Sequence, residues 1–156
     1  MFVWPQALQL SVQNQMAINP DFAPTFLDIA YTGDGRLGLV IPLDMQGVSL
    51  VPLFRGATPA NWRTSYYYRY YHDPGDHNTR AHYGVRTTTQ KLIYFWKKDQ
   101  WEMYDLSSDP DELHNLYNDP AQKDTVAKLK AELYRLKKEV KDDDQYANQQ
   151  PPPGTD

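Results

Sequence analysis

The side chains best equipped for chemistry lie in the middle of the chain. His72-Asp73-Pro74-Gly75-Asp76-His77 places two imidazoles and two carboxylates close together. Pro74-Gly75 forces a turn that brings the flanking pairs near each other. That composition invites a metal reading, yet such clusters are common in polar loops without metal. No metal site is assigned, and a loop shaping the mouth of a binding cleft is the better expectation. Arg80, His82 and Arg86 follow. An imidazole at a strand start can donate to a hydroxyl or, when protonated, face an anion. Either guanidinium can grip an oxyanion by two parallel hydrogen bonds. For Arg86, pairing with an acidic neighbour in the sheet or across a domain boundary is favoured, because strand arginines usually have structural partners. In the run Tyr66, Tyr67, Tyr68, Tyr70 and Tyr71, alternation sets 66, 68 and 70 on one face and 67 and 71 on the other. Most of these rings, with Trp96 and Trp101, are expected in a core or an interface.

The 156 residues suffice for one ordinary domain, with 40% apolar residues, 12 prolines and 12 tyrosines. A formal charge of −4 gives no electrostatic case for nucleic acid. The absence of cysteine excludes a disulfide framework, a Cys-type zinc site and a Cys nucleophile. Met1-Phe2-Val3-Trp4-Pro5 has no basic, then apolar, leader pattern, and no window is apolar enough to span a membrane.

Certain elements must position the candidate residues. Phe2-Val3-Trp4-Pro5 reads as a strand end stopped by proline, and a strand end without a partner hints at missing upstream chain. Asp21 to Ala30 reads as a short helix capped by Asp21, closed by the turn Thr32-Gly33-Asp34-Gly35. Leu50, Val51, Leu53 and Phe54 suggest one helical turn. Ser65–Tyr71, His82–Thr88, Lys91–Trp96 and Trp101–Leu106 read as four strands of an antiparallel meander, with a polar loop at residues 72–78 after the first and hairpin-length links among the other three. Asp119-Pro120 starts a helix whose stripe Val126, Leu129, Leu133, Leu136, Val140 should lie on the sheet. Its lysines are expected on a solvated face, and residues 142–156 as a disordered acidic, Gln- and Pro-rich tail.

In order along the chain, four blocks resemble the sulfatase family, in particular its glucosamine- and glycosaminoglycan-sulfatase branch. They are Asn19-Pro20-Asp21-Phe22-Ala23-Pro24-Thr25-Phe26-Leu27-Asp28-Ile29-Ala30, then Met45 to Leu53, then His82-Tyr83-Gly84-Val85-Arg86-Thr87 with Lys91-Leu92-Ile93. The last is Trp101-Glu102-Met103-Tyr104-Asp105-Leu106 with Asp109-Pro110-Asp111-Glu112 and Asn115-Leu116. The resemblance implies an α+β fold: a four-stranded antiparallel sheet packed by a C-terminal helix over residues 63–141. It also implies that residues 1–62 are the incomplete tail of a larger α/β catalytic domain. His82, Arg80, Arg86 and His77 are the candidate substrate-binding residues, since a histidine before such a strand lies at the active-site mouth in this branch. The family uses formylglycine, made from a Cys or Ser within Cys/Ser-x-Pro/Ala-x-Arg, and calcium.

Neither is expected in this chain. Ser108-Asp109-Pro110-Asp111-Glu112 has Glu112 where arginine is required, and Asp34 stands in the wrong order along the chain for a metal ligand. Catalytic residues, metal and cofactor are therefore assigned to none here. The expected partners are a missing N-terminal sulfatase domain and a sulfated carbohydrate, with no nucleic acid and no membrane. The family's habit is export. The first reading is the C-terminal piece of a sulfatase, inactive alone. The alternatives are a stand-alone module that binds anionic glycans and a non-functional gene remnant.

Overall fold

The computed structural model describes residues 12–31 and 42–149, and of Tyr31 only its backbone. The strand end expected at residues 2–5, the turn at 32–35 and the proline-rich end lie outside the described residues. The chain divides into two compact units, Met1–Arg63 and Thr64–Asp156.

In the first unit a single 3-10 turn at Asn19–Asp21 leads directly into helix α1, Phe22–Tyr31. The expectation that Asp21 caps α1 is corrected. Because the helix is entered through the Pro20 turn, the carboxylate points back and across instead. It accepts from Ile18 N–H at 2.8 Å and Val48 N–H at 2.9 Å. Arg63 grips it by two bonds, Nη1 to Oδ2 at 2.5 Å and Nη2 to Oδ1 at 2.6 Å. Asp21 is fully buried, and this paired, hydrogen-bonded setting is the kind a buried charge requires. One turn on, Thr25 donates to the Asp21 carbonyl at 2.5 Å and accepts from Leu50 N–H at 2.9 Å. Gly47 completes the seam: a Cβ there would lie 1.9 Å from the Pro20 carbonyl oxygen. Helix α2, Val51–Phe54, is the expected helical turn, with Leu50, Val51 and Leu53 buried.

The second unit is the expected α+β arrangement. Strands β1 (Ser65–Tyr70), β2 (His82–Thr87), β3 (Gln90–Phe95) and β4 (Gln100–Asp105) form one antiparallel sheet in chain order. The register pairs Tyr68 with Gly84, Tyr70 with His82, Arg86 with Lys91, and Ile93 with Glu102. Asp119 accepts from Ala121 N–H at 2.9 Å and opens the turn Pro120–Gln122 before helix α3, Lys123–Glu139. Val126, Leu129 and Leu133 pack on Tyr83, Val85, Leu92 and Met103. Each fully buried residue of this kind contributes roughly 1.5–3 kcal/mol. Trp96 and Trp101 join that packing, as expected. Trp101 stacks between Tyr94 and Tyr117, at centroid distances of 4.2 and 5.7 Å.

Two expectations about the end of the chain need revision. Lys137 is not solvated: its place one helical turn after Leu133 puts its stem on the buried stripe, and its ammonium reaches Asp144 at 2.5 Å. The chain from 142 to 149 also departs from the expected disorder. Asp142 and Asp144 are bound to Arg69 of β1.

Candidate functional site

Alternation on the twisted sheet gives two chemically distinct faces. Tyr67, Arg69, Tyr83, Val85, Leu92 and Met103 point toward α3. The other face carries Tyr66, Tyr68 and Tyr70 of β1, His82 and Arg86 of β2, and Phe95 of β3.

His82 is the hub of that second face. Its ring stacks on Tyr70 at 5.7 Å, meets Tyr68 edge-on at 5.7 Å and tilts against Phe95 at 5.4 Å. Nδ1 lies 2.7 Å from the Arg80 carbonyl oxygen. A carbonyl only accepts, so Nδ1 carries the proton and Nε2 of the neutral ring is left as an acceptor. His72 extends the cluster, 5.4 Å from Tyr70. Two glycines make the packing possible. A Cβ on Gly75 would collide with the Tyr70 hydroxyl at 1.8 Å, and one on Gly84 would lie 2.7 Å from the Tyr68 hydroxyl and 2.5 Å from the Leu92 carbonyl. The Tyr68 hydroxyl is buried and unpartnered among the described residues, and that burial raises its pKa. It therefore stays protonated and holds a donor in reserve.

The other sequence candidates are placed differently. Arg80 Nε stands 2.7 Å from Asp73 Oδ1, a charge pair whose N–H is not aimed at the oxygen, and Lys97 Nζ lies 3.6 Å from Asp73 Oδ2. Arg86 makes no ion pair within the sheet among the described residues. Its cross-strand neighbour is Lys91, which takes the carboxylate of Glu112 at 2.6 Å, so the favoured structural pairing of Arg86 is not found there. His77 stands exposed on the turn Asp76–Asn78, with φ 55°, and takes no part in the ring contacts. The structure thus groups His82 with Tyr68, Tyr70, His72 and Phe95, and leaves His77 outside. The sequence signal for the rings was their alternation, which assigns a face without saying which face takes the helix.

Four carboxylates among the described residues, Asp21, Asp73, Asp142 and Asp144, do not suit a calcium ion. Asp21 is held by Arg63 and two backbone N–H groups, Asp73 faces Arg80 and Lys97, and Asp142 and Asp144 face Arg69. Each is already neutralised by a cation, whereas calcium needs several oxygen ligands converging on one point. Among the described residues no three His, Cys, Asp or Glu side chains converge in that way. Asp34 lies outside the described residues.

The chain belongs to the N-sulphoglucosamine sulphohydrolase C-terminal family, which it matches over residues 1–139. It is 42% identical over 149 residues to an N-acetylglucosamine-6-O-sulfatase of Bacteroides thetaiotaomicron, covering 90% of this chain and 25% of that protein. It is 28% identical over 123 residues to a Δ4,5-hexuronate-2-O-sulfatase of the same organism, covering 79% of this chain and 24% of that one. A solved protein in complex with its substrate D-glucosamine-2-N,6-O-disulfate superimposes with a TM-score of 0.72 and 40% identity, over 83% of this chain and 25% of that chain. The chain spans about a quarter of the length of the curated relatives it matches.

Proposed function

We propose that this chain is the C-terminal portion of a sulfatase that cleaves a sulfate ester from a glucosamine-type sugar. The observation that carries this reading is the 42% identity, over nine-tenths of the chain, to a sulfatase named for N-acetylglucosamine 6-O-sulfate. In this reading the nucleophile and metal belong to residues outside this chain, and the chain alone releases no sulfate. Formylglycine and calcium would supply the attack on sulfur and the stabilisation of its charge.

The role of this chain's own residues is to bind and orient. His82 Nε2 accepts from a sugar hydroxyl, or meets a sulfate oxygen once the ring is protonated. Tyr70 and Phe95 hold the imidazole at a fixed angle, so the contact requires little reordering on binding. Arg86 provides an anion-directed charge at the same face. Arg80 fixes the imidazole through its carbonyl, while its side chain holds Asp73 in the loop at the mouth. His77, exposed on that loop, meets only the outer part of a longer substrate.

The test is kinetic. In the full-length protein, His82→Ala should raise KM for 6-O-sulfated N-acetylglucosamine about tenfold, with a smaller change in kcat, as expected for a binding contact. His77→Ala should change neither by more than about twofold. Sulfate release by residues 1–156 alone, or unchanged kinetics in His82→Ala, would overturn the reading. The glycan-module alternative predicts a chain that stays monomeric alone and ignores ANS.

A further inference from the structure

A second constructed site lies on the opposite face of the sheet and involves none of the residues just described. Arg69 of β1 is 4% exposed, and its guanidinium carbon sits 4.5 Å from the Trp96 ring, 4.7 Å from Tyr71 and 5.2 Å from Tyr83. Lys137 of α3 adds a second cation, 5.2 Å from the Tyr83 ring. The result is a cationic cage with aromatic walls, a setting that favours carboxylates.

The residues that fill it come from the end of the chain. Arg69 Nη1 donates to both oxygens of Asp142 at 2.7 Å and to Asp144 Oδ1 at 2.5 Å. Lys137 Nζ donates to Asp144 Oδ2 at 2.5 Å, and the Tyr67 hydroxyl donates to Asp142. Tyr146 meets Tyr71 edge-on at 6.3 Å. Left-handed backbone at Lys141 (φ 58°) and Asp144 (φ 65°) turns the segment back onto the sheet. Composition gives this acidic stretch no reason to order by itself. Its side chains reach the sheet as those of a bound peptide would.

The cage also holds more donors than the segment uses. Arg69 Nε and Nη2 and Trp96 Nε1 are buried without an acceptor among the described residues.

We propose that the cage of Arg69, Lys137, Tyr67, Tyr71, Tyr83 and Trp96 is a docking site for an acidic–aromatic peptide motif, and that Asp142 to Tyr146 is its tethered ligand. The segment is a reversible strap across β1 and α3, distinct from the core formed by the sheet and helix.

The test uses the full chain with Asp142→Asn and Asp144→Asn together. Amide exchange in residues 142–149 should accelerate at least tenfold while exchange in β2 and β3 is unchanged. A free peptide with the sequence of residues 142–149 should then bind the variant, shifting the Trp96 indole N–H resonance, and bind the parent chain at least tenfold more weakly. The same peptide with asparagine at both acidic positions should not bind. Unchanged exchange in the segment, or equal binding of the two peptides, overturns the proposal. Should the variant fail to fold, high salt on the unaltered chain gives the same reading. Faster exchange confined to residues 142–149 supports a strap, and simultaneous loss of protection in the sheet overturns it.

Discussion

Gly84 and Tyr68 show how much of this molecule depends on single side chains. The ring of Tyr68 lies across β2 because Gly84 leaves it room, and no other residue fits beneath the hydroxyl. Gly84→Ala is expected to cost about 1–3 kcal/mol by overpacking, read as a lower urea midpoint with an unchanged slope. Asp21 is the corresponding point in the first unit. Asp21→Ala strands the Arg63 guanidinium and frees two backbone N–H groups, so a loss of about 3–5 kcal/mol is expected, measurable in the same denaturation experiment. The importance of Asp21 was only half legible in the sequence. Its type and position before α1 said cap, but the bonds to Val48 and Arg63 come from residues 27 and 42 positions away, which local pattern does not reveal. His82 was singled out by the family resemblance, which puts a histidine before this strand at the active-site mouth. Its ring partners Tyr70 and Phe95 were not, because they become neighbours only once the register is fixed.

At the scale of elements, local chemistry was a good guide. Tyrosine-rich and apolar runs bounded by polar segments placed all four strands within two residues of their ends. The three- and four-residue spacing of Val126, Leu129 and Leu133 identified the buried stripe of α3. Leu133, fully buried at the centre of that stripe, should cost about 2–5 kcal/mol when cut to alanine, seen as a fall in Tm. Charge was a poorer guide. Lys137 was read as solvated because lysine usually is, while its helical phase placed it on the stripe. Asp142 was read as tail because its neighbours are acidic, while the cation it needed sat on β1. In both places the missing information was a partner distant in sequence.

The behaviour of the whole molecule in acid follows from its carboxylates. Hydrogen bonds from Arg135 and Ser65 hold Glu132 down to about 2 from its ordinary 4.5. Asp142 and Asp144 are also lowered: burial opposes the shift, but bonds from Arg69 to both, from Tyr67 to Asp142 and from Lys137 to Asp144 outweigh it. A carboxyl group with a depressed folded pKa contributes stability that is present above its unfolded value and lost as pH falls through the folded one. Stability should therefore decline between about pH 4.5 and pH 2. Glu132→Gln should flatten part of that decline in thermal melts taken across the range. A variant that melts with the same pH dependence as the parent would remove Glu132 from the account.

The sheet's spatial order repeats its order along the chain, β1 to β4, and short links join β2 to β3 and β3 to β4. These three strands therefore find their mates by closing only small loops, while β1 joins them across the longer segment between Tyr70 and His82. A more distant step is the return of α3 to cover Val85 and Leu92. Until it arrives, those residues stand wet, so the lifetime of that uncovered ladder sets how readily this half of the protein clumps while it is being made.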